Sequence, residues 1–176
     1  MPTVYELDPV PTPELRDQLL RLWTDVSNAG GSVGFVPPVT PEDVRPELLG
    51  RLRAMAEGRS RLLTGRDGDR VVATAFLTLN THRLMRHWVW LSTVMVEPAR
   101  QGTGVGRELM AAAAEAARGL EGVRGIRLTL RAGGGLERFY ASCGYQEAGR
   151  VPDAIRVAEG SYRDEVTMWL PLDSPD

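Results

Sequence analysis

The chain has 176 residues, 43% apolar and 25% charged, with a net charge of −2 when histidine is neutral; these values predict one globular domain over residues 1–176. Basic residues are scattered, which argues against nucleic acid or a membrane surface as partner, and no apolar run approaches the ~20 residues that span a bilayer. Cys143 is the only cysteine, so an intramolecular disulfide is excluded; this and the absence of a basic-then-apolar start predict a reducing, cytoplasmic setting.

Val4–Leu7 reads as a short strand. Thr12-Pro13-Glu14 then announces a helix, and Leu15, Leu19, Leu22, Trp23 and Val26 recur at helical spacing. The loop Gly30–Pro38 carries Val33, Phe35 and Val36, which the pattern leaves exposed. Thr40 with Asp43 repeats the start signal for a second helix, whose face is Val44, Leu48, Leu52 and Met55. Arg61–Thr64 and Val71–Thr81 read as strands joined through Asp67-Gly68. His87–Val96 is nearly all apolar and predicts a central strand buried on both faces. A third helix opens at Gly104 with a stripe of Val105, Leu109, Ala112, Ala113, Ala116 and Leu120. Ile126–Leu130, a short helix Leu136–Cys143, Gln146–Val151 and Glu165–Leu170 complete the chain. The order β-α-α-β-β-β-α-β-α-β-β predicts an α/β fold with a seven-stranded mixed α+β sheet and about four helices.

The most informative segment is Val94–Arg107, a strand that runs through a glycine-rich turn into a helix. Gln101, Gly102, Thr103, Gly104, Val105, Gly106 and Arg107 place backbone N–H groups at a helix start, where they lack intrahelical acceptors and feel the positive end of the dipole. Such a turn suits a pyrophosphate. It is not a P-loop, which needs Lys-Ser/Thr after the second glycine, nor a dinucleotide turn, since Arg107 stands where the third glycine belongs. Gln101-x-x-Gly104-x-Gly106, preceded by Val94-x-Val96-x-Pro98 and followed by Phe139-Tyr140-x-x-x-Gly144-Tyr145, resembles the signature of the GNAT superfamily of N-acyltransferases.

That resemblance implies a GNAT fold and acetyl-CoA as acyl donor. It implies that the fourth and fifth strands part to admit the donor, that backbone at Val94, Met95 and Val96 bonds its pantetheine arm, and that a bulge there frees an N–H for the thioester oxygen. Tyr140 matches the family's general acid, which protonates the departing thiolate; the other reading of this residue is a core tyrosine on a short helix with its hydroxyl at the surface. Gly133 stands where some members carry an asparagine that contacts the donor. The Gly133-Gly134-Gly135 run either lets backbone approach the donor or is a flexible turn. The positions where many members place a base hold Trp90 and Ser92, neither of which is one, so the base stays open. Glu97 reads as a solvated charge at the strand end. A homodimer is also implied by resemblance.

The loop Asn28–Pro38 with its Ser32, Val33 and Phe35, the C-terminal Asp164-Glu165, and Trp90 and Ser92 are the candidates for acceptor binding. Ser32-Val33-Gly34-Phe35, Gly149–Val151 and Arg163–Val166 resemble a bacterial subgroup that includes tabtoxin-resistance acetyltransferases, which implies a small amine or an amino-acid-like toxin as acceptor. Trp88 and Trp90 share a strand face, expected against a helix. His82 and His87 lack the neighbours a metal needs, and no metal is expected. Cys143 reads as a small buried hydrophobe. Four readings are open on these residues: an N-acetyltransferase for a small primary amine, a noncatalytic acyl-CoA sensor, a protein or peptide acetyltransferase, and a structural domain without ligand.

Overall fold

Local chemistry starts the first two helices. The computed structural model describes residues 2–172. In α1 (Pro13–Asn28) the Thr12 hydroxyl accepts from the Leu15 N–H at 3.2 Å, and Pro13 stands in the first turn where no N–H is needed. In α2 (Pro41–Ala56) Thr40 and Asp43 form a reciprocal capping box. Around these lie β1 (Val4–Leu7), β2 (Ser60–Asp67), β3 (Arg70–Leu79), β4 (Val89–Val96), α3 (Val105–Arg118), β5 (Gly125–Arg131), α4 (Leu136–Ser142), β6 (Gln146–Ala158) and β7 (Ser161–Pro171).

The strands form one sheet in the order β1-β2-β3-β4-β5-β7-β6. All neighbours are antiparallel except β4 and β5. The expected seven-stranded mixed sheet with its helices is therefore what the chain forms. The core lies on both sides of it. On one face Leu77, Val89 and Leu91 pack with Leu109, Ala113 and Ala117 of α3. The small alanines let the helix axis come close to the sheet. On the other face Leu62, Phe76 and Met95 pack with Leu15, Leu19 and Trp23 of α1 and Val44 and Leu48 of α2. Burying each such Leu or Val stabilises the fold by about 1.5–3 kcal/mol relative to leaving it in water.

Three expectations are corrected here. Val33, read as exposed, is buried, because the Trp23 indole N–H donates to its carbonyl at 2.9 Å and draws the loop onto α1. Phe35 meets the edge of the same indole, so of the three loop residues only Val36 stays exposed. In β4 only Val89, Leu91 and Met95 are buried; the others border an opening in the sheet. The last two strands run far beyond the apolar patches that announced them. Most side chains of β6 are exposed, so its length comes from backbone pairing with β7 rather than from an apolar pattern.

Candidate active site

β4 and β5 pair only at Val89↔Ile126 and Trp90↔Arg127, then part. On its other side β4 pairs with β3, but the ladder jumps from Phe76↔Ser92 to Thr74↔Met95. Thr93 and Val94 thus share the place opposite Ala75, which is a β-bulge, and Thr93 takes the left-handed conformation at φ 52°. The bulge reverses which residues face which side. Before it, Val89 and Leu91 point to α3, and Ser92 points to α2. After it, Met95 points to α1 and α2, and Val94 and Val96 turn to the α3 side. One strand therefore lines a cavity on each face.

The first cavity, about 510 Å³, lies on the α3 side. Its walls include Val94, Val96, Gln101, Gly102, Gly104, Gly106 and Arg107, joined by Arg131, Gly134, Phe139 and Tyr140. Among the described residues, the N–H groups of Gly102, Gly104, Val105 and Gly106 have no acceptor, so this helix start offers converging donors. Gly104 caps α3 at φ 101°, which a side chain rarely tolerates. A Cβ on Gly106 would stand 3.3 Å from the Phe139 ring, so glycine there lets α3 and α4 close on each other. The Gln101 amide donates to the Val96 carbonyl at 3.1 Å and pins the turn to the strand end. Arg107 and Arg131 add positive charge.

The sequence candidates divide here. Val94, Val96, Gln101, Gly102, Gly104, Gly106, Arg107 and Tyr140 line this cavity. The Met95 side chain is buried in the opposite core, and Val105 is buried against the sheet with its carbonyl accepting from the Tyr5 hydroxyl at 3.1 Å. Burial, then the Glu108 charge, pushes the Tyr5 pKa up to about 12. Thr103 is exposed, and its hydroxyl donates to the Arg100 carbonyl. Gly134 rather than Gly133 lines the cavity; Gly133 faces the Arg163 side chain. Tyr140 is buried between the rings of Phe139 and Tyr145. Burial first, then Cys143, raises its pKa well above the ordinary phenol value, so it holds its proton throughout the neutral range.

A second cavity, about 370 Å³, opens on the α1–α2 face and shares Ser32 and Val33 with the first. Trp90, Ser92, Thr93 and Phe35 line it, together with Glu47 and Arg51 of α2. The acceptor candidates Ser32, Val33, Phe35, Trp90 and Ser92 meet in this one place, whereas Asp164 and Glu165 do not line it and Asp164 pairs with Arg150 at 3.0 Å. Arg51 Nη1 donates to Ser92 Oγ at 2.8 Å, and its guanidinium lies 5.8 Å from the centre of the Phe76 ring. Burial lowers the Arg51 pKa and the Glu47 charge opposes that, which leaves it charged at any physiological pH.

The acetyltransferase (GNAT) family model matches residues 19–145 of the chain. The chain belongs to the GNAT family of acetyltransferases. Like other GNAT enzymes, it takes acetyl-CoA as donor. Solved relatives agree on the fold. YncA from Salmonella typhimurium, whose structure holds its cofactor acetyl-CoA, is 19% identical, with a TM-score of 0.77 and coverage of 100% of this chain and 99% of that one. A ribosomal-protein-alanine N-acetyltransferase from Brucella melitensis is 23% identical, with a TM-score of 0.75 and coverage of 96% and 99%. An N-acetyltransferase from Staphylococcus aureus Mu50 is 13% identical, with a TM-score of 0.77 and coverage of 97% and 99%.

The residues of this GNAT chain fit the donor. The free N–H groups at the α3 start suit its pyrophosphate, the unpaired edge of β4 suits its amide-bearing arm, and Arg107 and Arg131 suit its charge. Two further readings are corrected. Glu97 is not a freely solvated charge: it pairs with Arg70 at 3.3 Å, its other oxygen is buried, and it does not line either cavity. Trp88 and Trp90 do not lie against a helix; they meet edge to face and hold the Arg127 guanidinium over both rings, because β5 comes close just before the strands part. Glu47 and Arg51 escaped the sequence reading. Their four-residue spacing on the second helix was the available signal, and it reads as a surface ion pair until β4 is placed beside it.

Proposed function

We propose that this GNAT enzyme transfers the acetyl group to a primary amine of a small molecule by direct attack within a ternary complex. The observation that carries the reading is the second cavity, about 370 Å³, which meets the donor cleft at the β4 bulge and at Ser32 and Val33. Its volume suits a small ligand. A peptide would need a longer groove.

The donor supplies a thioester carbonyl for the amine to attack and a thiolate as leaving group. The chain supplies position and polarity. Converging N–H groups from Gly102 to Gly106 hold the phosphates, and the free edge of β4 aligns the arm. The broken ladder at Thr93 and Val94 makes backbone N–H available to the thioester oxygen. Tyr140, buried and protonated, gives its proton to the departing sulfur, and the proton that the attacking nitrogen sheds, carried through water, restores the phenol. The half-buried Cys143 thiol, its pKa raised by burial, keeps out of the reaction and suits the cytoplasmic setting this reading assigns.

Thermal unfolding with and without acetyl-CoA, followed by thiol release over a panel of small amines and of peptides, tests this. At ~100 times the dissociation constant, binding adds roughly 2.7 kcal/mol, a rise of about 5–10 °C for a chain of this length. Turnover confined to small amines supports the reading. Turnover confined to peptide N-termini would move the acceptor class to proteins, and binding without any turnover would leave a sensor.

A further inference from the structure

The acceptor cavity carries one charged pair that the acetyl transfer described above does not use. Arg51 reaches in from α2, half-buried, and donates to Ser92 Oγ at 2.8 Å. It forms no ion pair among the described residues. A guanidinium carries five N–H donors, and a single serine oxygen engages one of them. The rest of the fork borders a cavity walled by Trp23, Phe35 and Trp90 and by the hydroxyl side chains of Ser32, Thr93 and Thr129. Glu47, one helical turn earlier, is the only carboxylate among the residues that line this cavity.

We infer that the acceptor is a short amino acid, an amine bearing a carboxylate, and that Arg51, held by Ser92, binds the carboxylate while Glu47 attracts the ammonium. The inference rests on the small-amine reading and narrows it. Three considerations support it. First, a planar guanidinium with free donors matches a carboxylate in two parallel hydrogen bonds, and a partly desolvated site strengthens that pair. Second, both signs of charge are present in one small cavity, which suits a zwitterion better than a simple alkylamine. Third, Ser92 adjoins Thr93 and Val94, so a carboxylate held by Arg51 and Ser92 would lie beside the bulge at which the two cavities meet. The aromatic wall leaves room for an apolar side chain.

The test compares pairs of acceptors at saturating acetyl-CoA: an amino acid, its carboxamide, and the corresponding amine without either group. The wild-type enzyme is expected to favour the carboxylate member by about 10- to 100-fold in kcat/KM, mostly through KM. Arg51→Met should collapse that ratio to about 2-fold or less, whereas Arg51→Lys, which keeps the charge but not the fork, should retain part of it. Ser92→Ala should weaken the preference to a smaller extent and serves if Arg51→Met folds poorly, which the acetyl-CoA-induced rise in Tm reports. Equal turnover of all members by the wild type, or a ratio unchanged in Arg51→Met, would overturn the assignment and leave acetyl transfer to amines standing. Acetyl-CoA binding with no turnover of any member would remove the small-amine reading and this inference together.

Discussion

On the α3 side of the β4 bulge, one wall is a single stretch of chain, Val94–Arg107, and its recognition groups are backbone N–H groups. On the α2 side, the wall is assembled from Trp23, the Ser32–Phe35 loop, Glu47, Arg51, Trp90 and Ser92, and its recognition groups are side chains. The two walls meet over two residues of one strand. A site made of backbone needs particular residues only where the chain must turn or approach closely, so its signature is local and glycine-rich. A site made of side chains takes whatever charge the ligand requires, from whichever elements the fold brings near, so it has no local signature.

The comparison can be broken most sharply at Gly104. A Gly104→Glu variant puts a side chain at φ 101° and a carboxylate among donors meant for phosphate. Acetyl-CoA should then give no rise in Tm, and kcat/KM for the donor should fall by about 1,000-fold or more. A preserved rise would remove the cradle from this turn. Next in size is Tyr140→Phe, expected to lower kcat by about 100- to 1,000-fold while the acetyl-CoA-induced rise in Tm persists. Because burial raises the Tyr140 pKa, its proton stays bound as pH rises through the usual phenol range near ~10, so kcat should show no descending limb from this group below that pH. An unchanged kcat in the variant would exclude Tyr140 as the acid.

A smaller effect is expected on the acceptor side from Trp23→Phe. It deletes the donor to the Val33 carbonyl, which should cost about 1–3 kcal/mol and raise KM for the amine more than for the donor. Equal effects on both would show that the loop serves the two cavities alike. Smallest is Thr40→Ala, which removes the α2 cap without touching either wall; a loss of about 1 kcal/mol, or about 2–4 °C in Tm, is expected with kcat unchanged. The cap also predicts an acid-side signature. Backbone and side-chain hydrogen bonds from Thr40 hold the Asp43 pKa below its ordinary value. A depressed folded pKa contributes stability above the unfolded value near ~4, lost as pH falls through the folded one, and Thr40→Ala should shrink that loss.

Helix starts, the glycine turn, the element order and the family were all legible in the chain. Thr12 and Thr40 act within three residues, and Gln101, Gly104 and Gly106 act through the backbone of their own turn. Periodicity likewise placed Leu15, Leu19 and Leu109 in the core, since side-chain direction repeats along a helix. What the chain left open concerns contacts between distant residues. Nothing local tells that Trp23 buries Val33, or that Arg127 slides over Trp88 and Trp90. Glu97 reads as solvated until Arg70 is seen beside it.

The bulge marks where the two kinds of information part. The residue types of β4 determined a strand, but which face each residue takes after Ser92 depends on Thr93 and Val94 sharing one place opposite β3, which is a property of the pairing. That inversion turned Val94 and Val96 to the donor side and left Ser92 facing Arg51, forty-one positions away along the chain. The glycine turn at a helix start and the family resemblance it carries were readable from sequence alone, because hydrogen bonding in such a turn is local. Only the tertiary structure brought Arg51 to Ser92 in the second cavity, because a hydrogen bond between residues so far apart exists only once the sheet and its helices have packed.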